Sequence, residues 1–186
     1  MAITYQNFRG DTYYLHSRKT KKGNTTYHFS KKSEGADVEV IPEGYEIYEN
    51  PNGKVALRKK QKPLIFDDEI EIIDNGMKKF CPIKDYKLDT KKDTVYIYTE
   101  FQKEKLGELL GSFFADKKEE MNRFKEYETV MRFRLVDKED RIFEVERFCF
   151  IGSIDDWIMV DGSDDLRELV EENVQHIGED SFYELF

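Results

Sequence analysis

Long apolar runs are missing from this sequence. No stretch approaches the roughly 20 apolar residues that a membrane-spanning helix needs. Residues 1–10 lack the apolar segment of a secretory leader. Cysteine is scarce: Cys81 and Cys149 stand far apart without metal-ligand spacing, so two free, buried thiols are expected and no disulfide. Histidine is limited to His16, His28 and His176, which leaves few candidates for a proton-shuttling site. The chain has no Gly-x-Ser-x-Gly elbow, no phosphate-binding Walker loop, no Gly-x-Gly-x-x-Gly and no His-Glu-x-x-His. These absences predict a cytoplasmic protein with no membrane partner and no cofactor. The sequon at Asn24-Thr25-Thr26 is then incidental.

Charge is plentiful and unevenly placed. Residues 1–62 carry 12 Lys or Arg against 7 Asp or Glu, whereas residues 63–186 carry 18 against 32. The chain therefore reads as a basic hairpin module over 1–62 joined to an acidic domain over 63–186, with the Lys-Lys-Gln-Lys-Pro run at 59–63 as the boundary. A polyanion is attracted to one end and repelled by the other. Aromatic residues make up 14% of the chain and are spread along it, enough for a packed core and against disorder.

Residues 13–18 and 25–32 predict two strands around Thr20-Lys21-Lys22-Gly23-Asn24, since Gly-Asn tolerates the positive φ of a hairpin loop. Alternation puts Tyr13, Leu15, Tyr27 and Phe29 on a core face. Tyr14, His16, Arg18, His28, Ser30 and Lys32 fall on a face open to solvent or ligand. A second hairpin pairs 45–49 with 54–58 through Asn50-Pro51-Asn52-Gly53. Ile70, Ile73 and Met77 predict a helix over 68–79 capped by Asp67, although the alternation of Ile70 and Ile72 leaves a strand open. Strands are expected at 85–88 and 94–100, helices at 104–114 and 117–127, and a long hairpin at 129–136 and 141–151 with Arg147 interrupting its apolar face. A short strand at 157–160 precedes a final helix capped by Ser163, with Leu166, Leu169, Val170 and Val174 as its buried stripe. His176 would suit the end of its dipole, and residues 181–186 form a docked tail. Hairpins with interspersed helices, without parallel β-α-β spacing, predict an α+β fold of antiparallel hairpins.

Arg9, Arg18, Lys19, Lys21, Lys22, Lys31 and Lys32 gather around the first hairpin with Tyr14 and His28 nearby. Cations that neutralise phosphate beside aromatics that stack on bases are the pattern of a nucleic-acid binder, and a two-stranded ribbon fits a major groove. Solvated lysines guarding an edge strand are the plainer explanation. His16 and His28 face each other across the hairpin, but zinc needs three or four ligands and no third is evident. Glu144, Glu146, Asp155 and Asp156 suggest a magnesium site weakly, because the expected Glu-x-Lys is absent; ion pairs with Arg134, Arg141 or Arg147 are the simpler reading. Residues 150–186 hold 11 acids and one Arg, suited to a basic protein partner.

The runs Phe29-Ser30-Lys31-Lys32, Ile41-Pro42-Glu43-Gly44-Tyr45-Glu46-Ile47-Tyr48-Glu49-Asn50-Pro51-Asn52-Gly53 and Val55-x-Leu57-Arg58-Lys59 resemble a family of uncharacterised bacterial proteins. Phe143-Glu144-Val145-Glu146-Arg147-Phe148-Cys149-Phe150, Gly152-Ser153 and Asp155-Asp156-Trp157 are similar to the same family. The resemblance spans both halves and implies no activity or catalytic residue. The expectation is a binding protein without catalysis that contacts nucleic acid through Tyr14, Arg18, Lys19, Lys21, Lys22, His28, Lys31 and Lys32. A protein-interaction or inhibitor-type module on the acidic half is the alternative, and a carboxylate-and-metal enzyme is the third.

Overall fold

The computed structural model describes residues 2–100, 125–151 and 154–185. Among these residues the chain is α+β, with ten strands and two α-helices and every sheet pairing antiparallel. They form two compact units, residues 2–61 with Lys125, and residues 62–100 with 126–151 and 154–185.

The first unit holds a three-stranded sheet of β1 (Thr4–Gln6), β2 (Thr12–Lys19) and β3 (Thr25–Ser30), in the order β1-β2-β3. It also holds the hairpin of β4 (Tyr45–Glu49) and β5 (Val55–Lys59). Both hairpins fall where the turn residues predict them. β1 escapes sequence reading because three residues carry too little periodicity to register. One sheet face is apolar as expected: Leu15 is fully buried opposite Phe29, and the Tyr27 ring meets Tyr45 edge-on at 5.9 Å. The Tyr5 hydroxyl donates to Glu49 at 2.8 Å, and the Glu49 carboxylate also accepts from the Phe8 amide at 2.9 Å. Gly53 closes the second hairpin at φ 74°, and its carbonyl accepts from Asn7 Nδ2 at 2.7 Å. A Cβ there would sit 2.9 Å from that amide nitrogen, so the position needs glycine for space as well as for φ.

The opposite face of this sheet departs from expectation. After β3 the chain crosses to the far edge of β2. There the Ser17 amide donates to Asp37 Oδ1 at 2.7 Å, and the Ile3 amide donates to Val38 O at 2.8 Å. The crossing passes over His16, whose Nε2 lies 2.9 Å from Lys32 O and whose ring stacks on His28 at 5.2 Å. His16, expected on an open face, is therefore buried, and Tyr14 is half-buried. The Ser17 hydroxyl and amide hold the Asp37 carboxyl below its ordinary range. A depressed carboxyl anchors fully above the unfolded value near pH 4 and lets go as pH falls through the depressed one. Asp37→Ala is expected to release the crossing and expose His16, read as faster exchange of the Ile3 amide, whose acceptor is Val38 O. Unchanged exchange would show that the crossing is held elsewhere.

The second unit begins with α1 (Asp67–Phe80), where the helical reading holds over the strand alternative. Phe66, not Asp67, is the boundary residue; the Glu69 carboxylate accepts from its amide at 2.7 Å. Strands β6 (Tyr86–Lys91), β7 (Thr94–Glu100), β8 (Tyr127–Asp137), β9 (Ile142–Ile151) and β10 (Ile154–Ser163) form an up-and-down sheet. α2 (Leu166–Val174) follows. Its cap is Asp165, which accepts from Arg167 N at 3.0 Å and Glu168 N at 3.1 Å, while Ser163 ends β10. Ile73 and Met77 of α1 join Leu169, Val170 and Val174 of α2 in the core. From the sheet come Val95, Ile97, Met131, Phe133, Phe143 and Val145.

The strand expected at 157–160 is longer, ten residues, because β9 pairs with it along its whole length through one bulge. Tyr127, expected in a helix, opens β8 opposite Glu100, and its hydroxyl donates to Asp85 at 2.8 Å. The helix expected at 104–114 and residues 117–124 of the next lie outside the described residues. The tail docks: Phe182 is buried in a 3₁₀ turn, Asp180–Glu184. His176 Nδ1 lies 2.8 Å from Ser181 Oγ, so it joins helix to tail. No helix among the described residues is long and apolar enough to cross a membrane.

Candidate nucleic-acid interface

The last paired residues of the first hairpin are Lys19 and Thr25. Beyond them the turn is tied to itself. Thr20 N donates to Asn24 O at 2.8 Å, Gly23 N to Thr20 O at 2.9 Å, and Asn24 N to Thr20 Oγ1 at 3.1 Å. The Thr26 hydroxyl adds a bond to Arg18 O at 3.1 Å. These bonds use backbone and hydroxyl groups and leave the cationic heads unengaged. Residues 18–26 are exposed without exception, and among the described residues none of Arg18, Lys19, Lys21 and Lys22 makes an ion pair. Strand alternation sends Arg18 and Lys19 to opposite faces, with Lys21 and Lys22 in the turn between.

The other sequence-predicted residues lie at the base of the arm. Tyr14 is opposite Ser30, five residue steps from the Lys19 pair, or about 16 Å along the strand. His28 is exposed but stacked on His16. Lys31 donates to Asp11 at 2.8 Å and covers the Tyr13 ring at 5.7 Å, and the Asp11 hydrogen bond raises its pKa. Lys32 lies past the strand end, with its carbonyl taken by His16. The eight candidates therefore separate into a cationic tip (Arg18, Lys19, Lys21, Lys22) and a base group (Tyr14, His28, Lys31, Lys32) in which aromatic and cationic groups are partly engaged. Thr20, Asn24, Thr25 and Thr26, read in the sequence only as turn and strand residues, belong to the same exposed run. Their flanking of Lys21-Lys22 was the available signal.

The acidic candidates resolve differently. Direct cross-strand register sets Arg134 opposite Glu144 and Arg132 opposite Glu146. The first pair closes at 2.5 Å, and Glu146 is ion-paired to Arg132. Arg132 was not among the expected partners. Arg141 instead grips Glu69 through two nitrogens, Nε at 2.8 Å and a terminal nitrogen at 2.5 Å, and Arg147 faces the core. Glu144 and Glu146 are thus committed to arginines. Among the described residues no group of three His, Cys, Asp or Glu side chains converges to hold a metal ion. Cys81 and Cys149 are free and buried, and burial pushes the Cys81 thiol up, away from the reactive thiolate. Comparison with protein-family models, with curated proteins and with solved structures finds no match.

Proposed function

We propose that this chain is a binding protein that contacts the phosphate backbone of nucleic acid through Arg18, Lys19, Lys21 and Lys22. The observation that carries this reading is the arm tip: nine exposed residues in a row holding four cations with no ion pair among the described residues. The sequence contains no acid between Asp11 and Glu34, so no neighbour in that run offsets the field of the tip. Four phosphate contacts release counterions, and the affinity for duplex falls with a slope of roughly −3.6 against log salt. Lys32 adds charge at the base, where Lys31 is paired with Asp11, and Tyr14 and His28 supply shape there.

The test is fluorescence anisotropy of labelled single and double strands at about 50 and 200 mM salt. Binding is expected to weaken roughly 100-fold over that interval and to vanish in the Lys21→Glu, Lys22→Glu variant. A folded protein that ignores every nucleic acid at the lower salt would sink the proposal. Attention would then pass to a second reading, a basic protein on the acidic portion. Glu168, Glu171, Glu172 and Glu179 are exposed there and make no ion pair among the described residues.

A further inference from the structure

We infer that the ligand of this arm is duplex DNA in the B form, entered by the tip through the major groove. The inference rests on the phosphate-contact reading above and specifies its substrate. A two-stranded ribbon has its strands about 4.8 Å apart, and the major groove, about 12 Å wide, admits it. A ribbon inside a groove meets phosphates on two walls. It therefore needs a cation on each face, and Arg18 and Lys19 supply one to each by alternation. Each is paired across the ribbon with a threonine, Arg18 with Thr26 and Lys19 with Thr25. The Thr25 hydroxyl is left to meet a base edge, the Thr26 hydroxyl donates to Arg18 O, and both threonines carry a methyl group that fits the methyl of thymine. At the very tip the Asn24 backbone amide is satisfied by Thr20, and its carboxamide makes no hydrogen bond among the described residues. A free carboxamide is the group that reads adenine through N6 and N7 in this groove.

The alternatives fit less well. Single strands are held by aromatic rings on which bases stack, and residues 17–26 contain no aromatic residue. The nearest rings are occupied: Tyr27 lies edge-on to Tyr45, and His28 stacks on His16. Duplex RNA has a major groove too deep and narrow for side chains to read.

The test compares one sequence as DNA duplex, as DNA single strand and as RNA duplex. It is combined with dimethyl sulfate protection of guanine N7, which lies in the major groove. The DNA duplex is expected to bind at least tenfold more tightly than either competitor, with N7 protected. Replacing adenine by 7-deazaadenine in the duplex is expected to weaken binding of the unaltered protein several-fold and to leave Asn24→Ala unaffected, the salt slope staying the same in both and circular dichroism confirming the fold. Equal or tighter binding of single strands or of duplex RNA would overturn the inference, as would unprotected N7 in a bound duplex. Those outcomes leave the phosphate-contact proposal standing. Loss of binding to all three forms removes both.

Discussion

Replacing Arg147 by alanine is expected to lower the free energy of unfolding by about 3–5 kcal/mol, the largest effect of any single substitution considered. Arg147 is 1% exposed and sits opposite Met131, on the face of β9 that packs into the core. Its Nε donates to Leu185 O at 2.9 Å, and a terminal nitrogen reaches Tyr183 O at 3.5 Å. The side chain thus binds the docked tail from inside the protein. Alanine removes these donors and opens a cavity in a packed interior, two costs that add. Arg147→Met keeps most of the apolar stem volume and is expected to recover roughly half of the loss. It does not recover the tail, so amide exchange at residues 182–185 rises in both variants. An Arg147→Ala protein with an unchanged urea midpoint would refute this account.

Gly76→Ala is expected to destabilise by about 2–3 kcal/mol, against the direction of helix propensity. In a free helix the same change gains roughly 1 kcal/mol. Here Gly76 is buried where α1 meets α2, and an added Cβ collides with Cγ1 of Val170, whereas the Val170 Cβ lies at an acceptable 3.4 Å. The clash is therefore with one methyl group. Val170→Ala alone leaves a void and is destabilising, but in the double variant the new methyl fills it. The pair is expected to couple by more than about 1 kcal/mol, measured by urea unfolding of both singles and the double. Additive losses would mean that the helices separate instead of meeting at this point.

The two substitutions mark different degrees of legibility. The stripe of α1 and that of α2 are readable because helical periodicity records which residues share a face. That the two stripes meet at Gly76 is recorded only by the absence of a side chain, which in one sequence looks like poor helix propensity. Arg147 reads as a fault in an apolar strand face, since its carbonyl partners lie 36 and 38 residues away. The arm follows the same division. Its strands, its turn and its cationic tip are local, and sequence places them correctly. The burial of His16 depends on Asp37 bonding Ser17 across 20 residues. The loss of Lys31 from the cationic group depends on Asp11, also 20 residues distant.

The α+β class, the two hairpins with their turns, the buried stripes of both helices and the concentration of positive charge around Lys21-Lys22 are all legible in the residues alone. Each of these follows from alternation, turn chemistry or charge count within a short window. The tertiary structure alone decided which predicted faces stay open, which arginine holds which carboxylate and which cations remain unpaired. Those outcomes depend on crossings and strand registers that bring distant residues together. A carboxylate takes the cation that register sets opposite it, and a side chain is buried by whatever segment passes over it.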